Sequence, residues 1–196
     1  MNLPNKLSVL RIVLIPFMMF FYLASFIPNG LGKIIALVIF VVAALTDMLD
    51  GKIARKYNLV TNLGKFLDPI ADKILTATAL FLLMADGTIP APYGVIAITI
   101  IIAREFMVSA LRLIAASQGT VLAADIWGKA KTMVQMIAIP ICMLIPFLVA
   151  LCGVPAWLLI TVKVVGWSAL GVATILTVVS GANYLIKNRQ CFKDSK

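Results

Sequence analysis

Apolar stretches separated by short clusters of Pro, Gly, Asn and Asp make up most of the chain. Crossing about 30 Å of hydrocarbon takes roughly 20 apolar residues in a helix, and six stretches approach that length: 7–26, 31–49, 68–84, 93–116, 132–151 and 157–186. Breakers lie between them: Pro28, Asn29, Gly30 and Gly32; Asp86, Gly87, Pro90 and Pro92; Gly153 and Pro155. The pattern predicts an all-α integral membrane protein of six transmembrane helices. It shows no internal repeat and no second domain, so residues 1–196 read as one membrane domain.

Composition agrees. Of the 196 residues 62% are hydrophobic and 13% charged, and the mean hydropathy is +1.07. That leaves too little polar sequence to cover a core in water. The net charge of +9 does not point to nucleic acid, because the basic residues gather at the ends of apolar stretches rather than along one polar face. Lys6 precedes the first stretch; Lys52, Arg55, Lys56 and Lys65 lie between the second and third, and Lys129 and Lys131 between the fourth and fifth. Lys187, Arg189, Lys193 and Lys196 follow the sixth, whereas the opposite loops carry only Lys33. The positive-inside rule then puts both termini in the cytoplasm. The first stretch, with Arg11 and Pro16 and no small-residue cleavage site after it, reads as a retained helix.

Two absences narrow the chemistry. Cys142, Cys152 and Cys191 have no CxxC spacing and read as apolar fillers. There is no histidine, so carboxylates are left as the main candidates for metal binding and proton transfer. Of eight acidic residues, four fall between Asp47 and Asp72, at the predicted cytoplasmic ends of the second and third helices. On a helix, Asp47, Asp50, Gly51 and Ala54 fall within about 100°, and Asp68 and Asp72 are one turn apart. Two helices can thus present four carboxylates to one cavity. Such a cluster in a membrane interior is costly without cations, and hard divalent ions suit it. A lone aspartate here would read as a helix cap or as the partner of Lys52, Arg55, Lys65 or Lys73; four together do not. Gly51 and Ala54 leave space beside the carboxylates, and Arg55 offers a fork for a phosphate.

The fourth stretch is also polar on one side. Arg104, Glu105, Ser109 and Arg112 fall within about 140° on a helix, forming a stripe suited to the protein interior. Two arginines against one glutamate leave positive charge for a dianion, and Lys129 and Lys131 can add to it. The competing reading of Arg104 and Arg112 is structural pairing with Glu105.

Asp47-x2-Asp50-Gly51-x2-Ala54-Arg55-x8-Gly64-x3-Asp68-x3-Asp72 resembles the signature of the CDP-alcohol phosphotransferase family at all eight positions. The resemblance implies a six-helix membrane fold, usually homodimeric, with the active site at the cytoplasmic side. It implies that the aspartates bind two divalent metals, magnesium or manganese, and the CDP diphosphate, with Asp72 as general base. The opening Asn2 to Arg11 resembles the family's phosphatidylglycerophosphate synthase branch, which implies that Asn5, Ser8 and Arg11 lie near the nucleotide. Arg104-Glu105-Phe106, Ser109, Arg112, Gly128-Lys129 and Lys131-Thr132 look like the same branch, with Asp125 a departure. CDP-diacylglycerol and glycerol 3-phosphate are then the implied substrates, with Arg104, Ser109, Arg112, Lys129 and Lys131 toward the acceptor phosphate and Gly51, Ala54, Arg55 and Gly64 toward the CDP-lipid. Alternatives are another acceptor, such as serine, inositol phosphate or phosphatidylglycerol, and, from another class, a cation transporter. A transporter should spread charge through the membrane's depth, whereas these aspartates sit toward one side.

Overall fold

The computed structural model describes residues 3–56, 62–117, 126–151 and 153–187, with side chains described at 5–28, 30–47, 67–115, 126–151 and 153–187. The described residues form six α-helices: α1 (Leu3–Leu23), α2 (Leu31–Lys56), α3 (Asn62–Ala85), α4 (Ala91–Ser117), α5 (Ile126–Ala150) and α6 (Ala156–Lys187), with a 3₁₀ turn at Pro28–Gly30. No strand occurs among the described residues. Among the described residues, four helices are long and apolar enough to cross a membrane: Asn5–Leu23, Ala91–Ala115, Ile126–Ala150 and Ala156–Lys187.

Helices and apolar stretches do not share their limits. α2 runs on past residue 49 to Lys56, and α3 begins at Asn62, before Asp68. Helicity depends on satisfying backbone groups along the segment, whereas the apolar run marks only the part suited to lipid. Pro69 lies inside α3 without ending it.

α1 packs on α2 and α3, α5 on α6 and α2, and α4 on α6 and α3. One stripe of α1 explains its place. Asn5, Ser8 and Arg11 are buried, and so are Ile15, Met18 and Tyr22. This 3-4 spacing keeps one face inward, polar for two turns and apolar after that. Ala36 and Ala43 on α2 and Ala71 and Ala79 on α3 have no exposed surface, so backbones approach closely there, as membrane helices require in the absence of a hydrophobic drive between them. The first connection is tight. A Cβ at Gly32 would lie 2.4 Å from the Phe21 carbonyl oxygen, and Gly30 has φ 69° with space for its absent Cβ filled by Ala150.

At the end of the bundle away from the four aspartates, one carboxylate joins three segments. Asp86 accepts from the Tyr22 hydroxyl at 2.5 Å, from Lys33 Nζ at 3.2 Å and from the Thr88 backbone N–H at 3.0 Å. The Lys33 ammonium also lies 3.7 Å over the Tyr22 ring, and Trp167 Nε1 on α6 donates to the Thr88 carbonyl at 3.0 Å. Lys33, the basic residue that departs from the loop charge pattern, is thus held by a neighbouring acid. Removing this acceptor leaves the buried Tyr22 hydroxyl without its acceptor, at about 1–3 kcal/mol. Asp86→Ala is therefore expected to lower the thermal unfolding midpoint in detergent, with Tyr22→Phe lowering it less; an unchanged Asp86→Ala midpoint would remove this clamp from the stability argument.

Candidate active site

The polar start of the α1 stripe meets the aspartates. Arg11, with no exposed surface, pairs with Asp47 at 2.5 Å from Nη1 to Oδ1, and Ser8 Oγ, also fully buried, donates to Asp68 Oδ1. A buried guanidinium in this setting is stable only with a counter-charge, and α2 supplies one. Ser8 and Arg11 are one turn apart on α1, so they reach α3 and α2 from one face. Asn5 is buried on the same stripe. Sequence resemblance placed these three near a nucleotide; the structure places two of them against the signature aspartates themselves.

Asp47 and Asp72 line one cavity of about 350 Å³, together with Phe40, Val41, Ala44, Leu45, Thr132, Met133, Met136 and Pro140. Its composition changes along its length. Phe40 lies seven residues from Asp47 on α2, about 10 Å at 1.5 Å per residue, and Thr132 and Pro140 mark a similar span on α5. The carboxylates of α2 and α3 stand at one end, and apolar side chains line the remainder. Asp47 lies within electrostatic reach of both Asp68 and Asp72. Three of the four signature aspartates are therefore brought together. The side chains of Asp50, Gly51, Ala54, Arg55 and Gly64 lie outside the described residues, and so does Asp125.

Among the described residues, no three acidic, histidine or cysteine side chains converge as a metal-binding group. The donor chemistry nevertheless fits a hard divalent cation. Asp47, Asp68 and Asp72 offer carboxylate oxygens at or near one cavity, and hard oxygen donors are what magnesium and manganese take.

The polar stripe of α4 is more committed than its sequence suggested. Arg104 lies 3.4 Å from Glu105 through Nη1 and donates from Nη2 to Ser180 Oγ on α6 at 2.5 Å. It lies in a glycine-lined bed: a Cβ at Gly128 would stand 3.0 Å from Nη2, and one at Gly181 would stand 3.3 Å from Cγ. Lys131, 2% exposed, pairs with Glu105. These contacts tie α4, α5 and α6 together, and the structural pairing considered for Arg104 is present. Arg112, by contrast, is exposed and lies 5.8 Å over the Tyr184 ring. Lys129 is exposed. Ser109 donates to the Glu105 carbonyl at 2.8 Å and accepts from Lys73.

Sequence reasoning missed the Ser180-Gly181 pair, whose one signal was a small polar dipeptide inside an apolar helix. It also treated Lys73 only as a counter-charge for the aspartates, whereas the hydrogen bond goes to α4.

Comparison with known proteins shows the family. The model of the CDP-alcohol phosphatidyltransferase family matches residues 1–179. The chain is similar to the CDP-diacylglycerol–glycerol-3-phosphate 3-phosphatidyltransferase of Bacillus subtilis, with 42% identity covering 99% of this chain and 98% of that one. It is also similar to the proteins of the same name from Rickettsia felis, with 38% identity over 93% of each chain, and from Shigella flexneri, with 37% identity over 94% of this chain and 93% of the other. With the family match spanning residues 1–179 and a relative 42% identical over nearly the whole of both chains, this chain belongs to the CDP-alcohol phosphatidyltransferase family.

Proposed function

We propose that this chain transfers the phosphatidyl group of CDP-diacylglycerol to glycerol 3-phosphate, giving phosphatidylglycerophosphate and CMP. The observation that carries the reading is the two-part cavity, with carboxylates of Asp47 and Asp72 at one end and an apolar wall from α2 and α5 beyond them. A substrate with a charged diphosphate and acyl chains has the same division. The names of the relatives supply the acceptor.

In this reading the acceptor's 1-hydroxyl gives its proton to Asp72 as its oxygen bonds to the lipid-linked phosphorus. The anhydride bond to CMP breaks, and CMP leaves with the bridging oxygen. Asp47, Asp50, Asp68 and Asp72 would hold two divalent ions, magnesium or manganese, whose charge offsets that of the diphosphate when bound. Ser8 and Arg11 fix the orientation of Asp68 and Asp47. Asn5, Gly51, Ala54, Arg55 and Gly64 serve the CDP-lipid. Arg104, Arg112, Lys129 and Lys131 make the acceptor side positive and Ser109 adds a hydroxyl, with Arg112 and Lys129 exposed and the others placed around Glu105.

The proposal includes a multi-pass protein of the cytoplasmic membrane, crossed by all six helices, with termini and active site facing the cytoplasm, and a homodimer. Support for the orientation is the gathering of basic residues at the aspartate end, whereas Lys33 at the other end is held by Asp86. The test is purified protein in detergent with CDP-diacylglycerol, magnesium and each acceptor in turn. CMP release with glycerol 3-phosphate, and its loss on chelation, is expected. Release with serine alone would overturn the acceptor; release without divalent metal would overturn the metal reading.

A further inference from the structure

Three cations stand around Glu105: Lys73 on α3, Arg104 on α4 and Lys131 on α5. Arg104, Lys131 and Lys73 all act on Glu105, and Lys73 is within electrostatic reach of Asp72, Arg112 and Arg104. Their commitments differ. Lys131 is almost fully buried on the Glu105 carboxylate. Arg104 is held by Glu105 and Ser180 between two glycines. Lys73 is half-buried, and its hydrogen bond goes to the Ser109 hydroxyl, a neutral group that donates its own O–H to the Glu105 backbone carbonyl. Among the described residues no carboxylate forms an ion pair with Lys73. An ammonium has three N–H donors, so two remain available. Positive charge left over in a membrane interior is costly and marks a site for an anion. Lys73 follows Asp72 directly in the chain and lies within electrostatic reach of it, while lining a separate recess with Thr76, Ile101 and Glu105.

We propose that Lys73 is a phosphate-binding residue for the acceptor, placed by Ser109 so that an acceptor whose hydroxyl meets Asp72 has its phosphate on the Lys73 ammonium. This rests on the transferase reading above and adds to it the residue that favours a phosphorylated acceptor over a neutral alcohol. Arg104 and Lys131 then shape and polarise the site through Glu105, and Lys73 supplies the movable charge that touches the ligand.

The experiment compares wild type, Lys73→Met and Lys73→Arg in detergent with CDP-diacylglycerol and magnesium. Lys73→Met should raise KM for glycerol 3-phosphate by roughly ten- to a hundredfold, with KM for CDP-diacylglycerol and kcat at saturation little changed. Inorganic phosphate, tested as a competitive inhibitor, should weaken in the same proportion, and Lys73→Arg should recover part of both effects because it keeps the charge. A lysine that only tied α3 to α4 would lower kcat and the unfolding midpoint together, without this split between substrates; that result, or an unchanged KM for glycerol 3-phosphate, overturns the proposal. A measurement on the wild-type protein does not depend on the folding of any variant: glycerol 3-phosphate should protect the Lys73 amine from a water-soluble acetylating reagent, read by peptide mass spectrometry, and absence of protection overturns the proposal. Wild-type protein that releases no CMP with glycerol 3-phosphate would instead defeat the transferase reading itself.

Discussion

Asp47→Asn and Asp68→Asn are each expected to abolish CMP release, yet to differ in what they do to the folded protein. Each removes a charged oxygen from a set proposed to hold two hard cations, where a site draws on about six oxygens and replacing a carboxylate by an amide weakens every step that needs the bound ion. Added magnesium or manganese at high concentration should recover part of the rate, because the defect is one of affinity. The stability consequence follows from the partners. Asp47 is the counter-charge of Arg11, which has no exposed surface, although the Asp47 side chain is itself 37% exposed, so its removal costs less than the about 3–5 kcal/mol of a fully buried pair but still strands a buried guanidinium. Asp68 is held by a neutral hydroxyl from Ser8, so the loss at that contact is nearer the roughly 1 kcal/mol of an ordinary hydrogen bond. Thermal unfolding in detergent should therefore show a clearly lower midpoint for Asp47→Asn than for Asp68→Asn, while both are inactive. Wild-type rates in either variant would contradict the metal assignment, and equal midpoints would mean that the Arg11 pair does not contribute as the geometry requires. Asp50→Asn is expected to lose activity on the same chemical ground.

Asp72→Asn should separate binding from turnover. Asp72 lines the cavity beside Asp47, and a general base contributes about 10²- to 10⁴-fold in rate. If proton acceptance is its chief task, the variant should lose turnover by about that factor and still bind CDP-diacylglycerol with an affinity close to wild type, read by equilibrium binding of a radiolabelled CDP-lipid with magnesium present. Collapse of binding and rate together would make Asp72 chiefly a metal ligand. Retained turnover would place the base elsewhere in the cavity.

The transferase reading explains a pairing of features that is otherwise odd in a membrane protein. Charge in the interior is expensive, yet α1 begins with a fully buried arginine and α5 with a nearly buried lysine. Both face carboxylates, Asp47 and Glu105. Both ion pairs lie within electrostatic reach of Asp72. The apolar part of the cavity extends along α2 and α5, where acyl chains can stay among apolar groups while the reacting phosphorus remains near water.

Much of this was legible before any coordinates. Apolar runs of bilayer length with Pro and Gly between them announce membrane helices, because a segment without water must satisfy its own backbone. The offsets from Asp47 to Asp72 place carboxylates at the adjoining ends of two helices, and helical periodicity then gathers them on common faces. Periodicity also put Arg104, Glu105, Ser109 and Arg112 on one stripe. These are properties of spacing, so the linear order determines them.

Partner choice is different, because it depends on which helices touch and at what height. Nothing in the spacing of Asn5, Ser8 and Arg11 says that Ser8 meets Asp68 and Arg11 meets Asp47; that follows from α1 packing between α2 and α3. Lys73 stands beside Asp72 in the chain, and adjacent helical positions point in different directions, so its hydrogen bond crosses to Ser109 on α4. Arg104 could have faced a ligand or a neighbour; Ser180 and the absent side chains of Gly128 and Gly181 on two distant helices make room for it and hold it. Composition and period were enough for the class of protein and for which carboxylates are the candidates for its chemistry. Which charges are tied between helices had to come from the packed bundle, because that depends on contacts between residues as much as 76 positions apart.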